Sequence, residues 1–200
     1  SLESAIISAS GTIQPQFIDK ISQYASEVII MDSQTPIPIA LQSTTPETVG
    51  LDRKAACVGA SVLFPQKNCL VFDAGTALTI DLLSAENGMI GGNISPGLNL
   101  RFQSLHTFTE RLPLLHPKET STLFGKSTQD SILSGVQQGI LFEGQAYINK
   151  AVKEFPEICL VSTGGDAQFF VKNLKSSIFA EPDLVVIGLN RILKYYAEKK

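Results

Sequence analysis

A buried strand that ends in a carboxylate is the first feature of this sequence that suggests chemistry. The segment VFDAGTALTID spans residues 71–81, and its apolar start runs directly into Asp73, Gly75 and Thr76 before a second carboxylate, Asp81. A carboxylate at a strand end can bind a cation, and a glycine lets the backbone approach a phosphate group closely. The threonine hydroxyl and the N–H groups of the turn could contact a phosphate or a metal-bound water. A β-hairpin with a polar turn is the alternative explanation.

Asp52 and Arg53 form a second candidate site, in the segment TPETVGLDR at residues 45–53. They follow Gly50 and Leu51 at the start of a predicted helix. If this segment faces the turn described above, Asp52 could accept a proton and Arg53 could bind a substrate anion. A solvated helix cap that contacts no substrate is the alternative.

Two glycine-containing segments also connect strands to helices, GGNISPG at 91–97 and STGG at 162–165. Two glycines on a strand usually mark the close approach of a ligand or of another backbone segment. Pro96 and Gly97 then open a helix whose N-terminus favours an anion. Strand-to-helix turns such as STGG often bind nucleotides, although they also serve as plain caps.

The segment GKST at residues 125–128 resembles the end of a P-loop but lacks the rest of that motif. A P-loop needs a glycine five residues before Gly125, and that position is Thr120. No apolar strand precedes the segment either. We therefore predict that Ser127 or Thr128 caps a long helix.

The composition of the 200-residue chain is that of a globular protein, with 44% hydrophobic and 18% charged residues. The net charge is −3, so no basic surface indicates a nucleic acid partner. The apolar runs are shorter than the ~20 residues of a membrane span, and no signal peptide is visible. Cys57, Cys69 and Cys159 form no CxxC motif, which predicts buried reduced thiols in a cytoplasmic protein. We expect neither nucleic acid nor membrane as a partner.

The predicted elements place the candidate residues at strand ends of an α/β fold. Strands at 4–10 and 27–32 alternate with helices at 15–25 and from about 46 or 52 to 63. Three strands follow from residue 68, separated by Gly75 and by the turn Asn87-Gly88. The remaining predicted elements are helices at 97–109, 127–154 and 183–198, a strand at 157–165 and a short helix after it.

The change of pattern near residue 67 predicts two domains. A three-stranded meander followed by alternating helices and strands is the element order of a ribonuclease-H-like domain. We predict that residues 1–66 are the remainder of a first such domain, incomplete at its N-terminus. Residues 67–200 would form the second.

Taken together, five segments resemble the type III pantothenate kinases. They are TPETVGLDR, FDAGTALTID, GGNISPGLNLRFQSL, GKSTQDSILSGVQQG and STGGDA. The resemblance covers about residues 5–195, and Asp52 and Asp73 stand twenty-one residues apart in its two most specific motifs. It implies two domains of the actin-like ATPase superfold and ATP-dependent phosphorylation of the primary hydroxyl of pantothenate to 4'-phosphopantothenate. That reaction is the first step of coenzyme A biosynthesis, and the resemblance implies a cytoplasmic homodimer.

The resemblance also implies which residues bind pantothenate. Asp52 would be the general base on the substrate hydroxyl. Gly50, Leu51, Asp52 and Arg53 would line the pantothenate pocket. Thr128 would contact pantothenate across the dimer interface.

The resemblance implies a second group of residues on the ATP side. Asp73 would coordinate the monovalent cation, potassium or ammonium, that the family uses. Gly75 and Thr76 would lie against the ATP phosphates, and Mg²⁺ would arrive with ATP. The strand would thus end in Asp-Ala-Gly-Thr because the chain turns beneath a triphosphate.

The sequence departs from the family pattern at two places. The family opens with an Asp-x-Gly-Asn-Thr motif that binds ATP phosphates and magnesium, and this motif is absent from the 200 residues. We therefore expect the chain to be a fragment that lacks an upstream segment of the native protein. Ser43 stands where the family usually places an aromatic residue against pantothenate, which bears on substrate affinity.

Two rival functions are compatible with the same segments. One is a sugar kinase or phosphohydrolase of the same superfold, and the other is a non-catalytic accessory transcriptional regulator of the same family. The missing phosphate motif favours the regulator. The presence of both Asp52 and Asp73 favours an enzyme, because a pure binding module needs neither carboxylate.

Overall fold

The chain alternates strands and helices in the order that the sequence pattern predicts. The computed structural model describes residues 2–9, 11–119 and 122–199. The strands are β1 (Leu2–Ile7), β2 (Ala25–Ile30), β3 (Cys69–Ala74), β4 (Ala77–Ser84), β5 (Gly88–Pro96), β6 (Cys159–Thr163) and β7 (Phe179–Ala180). The helices are α1 (Pro15–Ser22), α2 (Leu51–Leu63), α3 (Leu98–Thr107), α4 (Thr128–Glu154), α5 (Ala167–Asn173) and α6 (Leu184–Glu198).

The differences from the predicted elements lie mainly at their ends. The strand predicted at 27–32 is β2, Ala25–Ile30, and the helix predicted from 46 or 52 divides into a 3-10 turn, Pro46–Thr48, and α2. Strand β7 was not predicted, because two residues are too few to show a periodic pattern. The first predicted strand extends to Ser10, which lies outside the described residues.

Contacts between residues divide the chain into two compact units. The first unit consists of residues 1–69, 81–91 and 183–200, and the second of residues 70–80 and 92–182. A compact unit need not coincide with a fold domain. The predicted domains, 1–66 and 67–200, therefore remain a prediction.

The first unit contains a parallel pair of strands and a pair of packed helices. Strands β1 and β2 pair in parallel, with Ala5 opposite Val28, and α1 makes the connection that a parallel pair requires. Helix α2 packs against α6, where a Cβ atom on Gly59 or Gly188 would collide with backbone of the opposite helix. The helices can therefore approach only because these residues are glycines. The core beside them is Met31, Ala55, Val58 and Ile192.

The second sheet has five strands in the order β5-β4-β3-β6-β7. Strands β6 and β7 are parallel, whereas β3 and β4 are joined by a two-residue turn and therefore run antiparallel. The fold is thus α/β with mixed sheets. In the second unit, the Cβ position of Gly144 on α4 lies 3.4 Å from the Phe72 ring on β3, so this helix packs directly on the sheet.

The long helix α4 begins as predicted. Ser127 is its N-cap residue, and the Ser127 Oγ atom accepts a hydrogen bond from the Asp130 N–H group at 3.1 Å. None of the helices in the described residues is both long enough and apolar enough to cross a membrane. Within the described residues the three cysteines form no disulfide; Cys57 and Cys69 are buried, whereas Cys159 is only half-buried.

Candidate functional site

In the second unit, the turn between β3 and β4 is held against the start of α3. The Gly97 N–H group donates a hydrogen bond of 2.9 Å to the Thr76 carbonyl oxygen. A Cβ atom on Gly97 would collide with the Gly75 and Thr76 carbonyl oxygens. Gly97 therefore has to be glycine for the turn to lie where it does. For Gly91, in the same segment, a Cβ atom would meet nothing within 4 Å.

The same turn also contacts the STGG segment. The Asp166 N–H group donates a hydrogen bond of 2.9 Å to the Ala74 carbonyl oxygen. Gly164 has a φ of +88°, which favours glycine, and a Cβ atom there would lie 2.7 Å from Asp73 Oδ1. The structure thus brings together three glycine turns that are far apart in the sequence.

The surface formed by these turns is polar and partly open to solvent. Asp73 and Gly75 are half-buried, and Thr76 is exposed. Asp166 is also half-buried, and burial raises the pKa of its carboxyl group. Two carboxyl groups and one exposed hydroxyl group therefore lie at one end of the sheet. Of these residues, Asp166 had no role in the sequence prediction. Its position directly after STGG is the signal that could have identified it as a site residue.

Two buried hydroxyl groups lie on strands that adjoin these turns. Within the described residues, Thr79 Oγ1 on β4 and Ser162 Oγ on β6 are buried without a hydrogen-bond partner. A buried hydroxyl without a partner costs about 1–3 kcal/mol. A bound water molecule would satisfy either hydroxyl group.

A cavity of about 670 Å³ lies beside helix α5 in the second unit. It is lined by Pro117, Lys118, Glu119, Gln137, Gln138, Leu141, Gln168, Phe169, Lys172 and Asn173. The buried Gln137 side chain fixes one wall, since its amide accepts from the Lys118 N–H group and donates to the Lys118 carbonyl oxygen, both at 2.9 Å. The Phe169 ring suits stacking against a planar group, and Lys118, Lys172 and Glu119 make the lining charged as well. Sequence reasoning missed this cavity, because its walls come from separate segments.

In the first unit, Asp52 stands exposed in the first turn of α2. Its Oδ1 atom accepts a hydrogen bond of 2.8 Å from the Arg53 N–H group. A Cβ atom on Gly50 would lie 2.5 Å from that same oxygen, so a side chain at this position would displace the carboxylate from the orientation seen here. The carboxylate is therefore oriented by its own helix start and remains accessible.

The neighbouring Arg53 side chain is held by a buried carboxylate. The Arg53 Nε–H group lies 3.1 Å from both carboxylate oxygens of Asp81, and the Nη2 atom forms an ion pair with the same group. The side chain of Asp81 is 1% exposed and that of Arg53 is 12% exposed. The hydrogen bonds to Asp81 raise the pKa of Arg53. Asp81 was noted in the sequence only as a second carboxylate, but a charge on a buried strand signals a need for a cationic partner.

The other predicted pantothenate residues occupy different environments. Leu51 packs against the core of the first unit. Thr128 is exposed in the first turn of α4, in the second unit. The structure thus groups Gly50, Asp52 and Arg53 in the first unit, and groups the predicted ATP-side residues in the second.

The comparisons with known proteins agree on one family. The sequence model of the type III pantothenate kinases matches residues 2–150. A type III pantothenate kinase of Phocaeicola vulgatus is 41% identical over 191 residues, which cover 96% of this chain and 77% of that protein. One from Porphyromonas gingivalis is 42% identical over 196 residues, which cover 96% of this chain and 80% of that protein.

A solved structure is similar over nearly the whole chain. It is a Campylobacter jejuni protein of the Baf family of transcriptional activators, with a TM-score of 0.68 and 23% sequence identity. The match covers 99% of this chain and 85% of that protein. At this identity the likeness shows the fold alone.

Proposed function

Since the chain belongs to the type III pantothenate kinase family, we propose that it transfers the terminal phosphoryl group of ATP to the primary hydroxyl of pantothenate. The product is 4'-phosphopantothenate, and the reaction is the first step of coenzyme A biosynthesis. The observation that carries the proposal is the 42% identity to a member of the family over 96% of this chain. The chain is accordingly a kinase, and ATP is its phosphoryl donor.

The convergent turns of the second unit are the proposed phosphate site. Phosphoryl transfer depends mainly on positioning the reacting oxygens and neutralising charge. The exposed Thr76 hydroxyl and the backbone of Gly75 would contact the ATP phosphates. The cavity beside α5 would take the adenosine, because α5 begins at the Asp166 contact with this turn. A crystal structure with ADP bound elsewhere would contradict this assignment.

The residues at this turn fit the metal ions that the family implies. Within the described residues, no group of three or more His, Cys, Asp and Glu side chains could hold a metal ion. The half-buried Asp73 carboxylate would coordinate the monovalent cation, whereas Mg²⁺ would arrive with ATP and be held mainly by the substrate phosphates. Bound cations would neutralise phosphate charge.

The start of α2 is the proposed pantothenate site. Asp52 would accept the proton of the substrate hydroxyl, which requires an accessible carboxylate. Asp81 orients one edge of the Arg53 guanidinium. The remaining N–H groups of Arg53 would bind the pantothenate carboxylate. Gly50 and Leu51 would complete the pocket wall, and Thr128 of a second copy would contact pantothenate.

The domain organisation and the oligomeric state form part of the same proposal. We propose two ribonuclease-H-like domains of the actin-like ATPase superfold, residues 1–66 and 67–200, in a cytoplasmic homodimer. Sedimentation equilibrium at the monomer mass would contradict the dimer.

Release of ADP in the presence of pantothenate tests the proposed function directly. We expect ADP release to require pantothenate, with phosphopantothenate appearing in equal amount by mass spectrometry. Sugars should not replace pantothenate. A chain that binds ATP but forms no phosphopantothenate would be a regulator or an enzyme for another alcohol.

Activity is also expected to depend on the monovalent cation. A carboxylate such as Asp73 beside bound phosphates is unfavourable unless a cation lies between them. Replacing potassium with sodium or tetramethylammonium at constant ionic strength should therefore depress turnover. Asp73→Asn should reduce this difference between salts. Equal rates of the wild type in all three salts would remove the cation from the proposal.

A further inference from the structure

Arg101 on α3 is the centre of a polar network in the second unit. Its Nε–H group donates a hydrogen bond of 2.8 Å to the Pro96 carbonyl oxygen. Its Nη2 atom forms an ion pair with Glu143 on α4 and lies 3.3 Å from Ser95 Oγ. Ser95 Oγ donates in turn to the Glu143 carboxylate at 2.6 Å. One guanidinium thus connects the end of β5 to α4.

The network is attached to the phosphate turn through Gly97. Gly97 directly follows Pro96, whose carbonyl oxygen Arg101 holds. The Gly97 N–H group donates to the Thr76 carbonyl oxygen, and the Gly97 Cα lies against the Gly75 backbone too closely to admit a side chain. A shift of residues 95–97 would therefore move the Gly75–Thr76 turn.

At the other end of the network, Glu143 lies on a part of helix α4 that packs against β3. Glu143 precedes Gly144, whose Cβ position lies 3.4 Å from the Phe72 ring on β3. Ile140, one turn earlier on α4, is fully buried. Phe72 belongs to the strand that ends at the phosphate turn. Helix α4 at Glu143 is thus packed on the same strand that the turn terminates.

We propose that Arg101 is a positioning residue that fixes the Gly75–Thr76 turn for nucleotide phosphate, acting through Glu143, Ser95 and Gly97. This inference rests on the proposed role of that turn in ATP binding. Arginine suits the task because its planar fork makes several hydrogen bonds in fixed directions. A lysine ammonium keeps the charge but cannot reproduce contacts to the Pro96 carbonyl and the Glu143 carboxylate together.

Two conservative variants test the proposal, Arg101→Lys and Glu143→Gln. Binding of a fluorescent ADP analogue to the full chain should weaken about tenfold in Arg101→Lys, since small misplacements of a site cost one to two orders of magnitude. The KM for ATP should rise in parallel, while the KM for pantothenate stays within about twofold. The double variant should bind the analogue about as weakly as Arg101→Lys alone, because both changes break one network.

The matched control is Arg191→Lys, because Arg191 forms an exposed ion pair with Glu198 on α6 at 3.1 Å. Its analogue binding should equal that of wild type. Unchanged binding in both folded variants would overturn the proposal, as would equal increases in both KM values. If Arg101→Lys does not fold, the analogue binding and the two KM values of Glu143→Gln test the proposal instead.

The binding measurement separates this inference from the proposed function. A wild type that binds the analogue but forms no phosphopantothenate would overturn the proposed reaction alone. The Arg101 variants would still be tested by analogue binding. Weaker binding in these variants would then support the positioning role at a nucleotide site.

Discussion

Replacing Asp52 with asparagine is expected to lower turnover by about 100-fold or more, the scale of a lost general base. An amide cannot accept the proton of the pantothenate hydroxyl. The fold should change little, because Asp52 is exposed and an asparagine oxygen can still accept from the Arg53 N–H group. ATP binding should also remain nearly unchanged, since the proposed phosphate turn belongs to the second unit.

Steady-state ADP release with saturating ATP and pantothenate measures this effect. Asp19→Asn is the matched control, because Asp19 is an exposed carboxylate on a helix outside the proposed site. The control should retain wild-type turnover. Activity of Asp52→Asn within a few-fold of wild type would remove Asp52 from the chemistry. A loss confined to the KM for pantothenate would assign Asp52 to binding instead.

Replacing Asp81 with asparagine is expected to lower the free energy of unfolding by about 3 kcal/mol, the low end of the cost of breaking a buried ion pair. The change leaves the Arg53 guanidinium without a charged partner where its side chain is only 12% exposed. The low end applies because Arg53 retains some contact with water. Turnover should fall as well, since the guanidinium loses the carboxylate that orients it.

Urea unfolding followed by circular dichroism measures the loss of stability. Glu198→Gln is the control, because its ion pair with Arg191 has side chains 33% and 58% exposed. An exposed pair contributes at most about 1 kcal/mol, so this variant should unfold near the wild-type midpoint. An Asp81→Asn chain as stable as Glu198→Gln would show that the buried pair contributes no more than a surface pair.

The order of elements and the position of the motifs could be predicted from the sequence, because both depend on local pattern. Hydrophobic periodicity located α4 and α6, and the Asn87-Gly88 dipeptide located the β4–β5 turn. The segments around Asp52 and Asp73 carried enough specific residues to indicate the family, which the 41–42% identities confirm. The roles of the individual site residues remain predictions.

The contacts that shape the candidate sites were decided only by the tertiary structure. Arg53 and Asp81 are 28 residues apart, and no local pattern pairs them. Gly97 and Gly164 meet the Asp73–Thr76 segment because, in one sheet, β5 lies beside β4, which begins after this turn, and β6 lies beside β3, which ends in it. The sequence by itself determined the order of the elements, the glycine turns and the family, since these follow from neighbouring residues. The contacts between the turns and the pairing of Arg53 with Asp81 follow from packing between segments that are distant in the sequence.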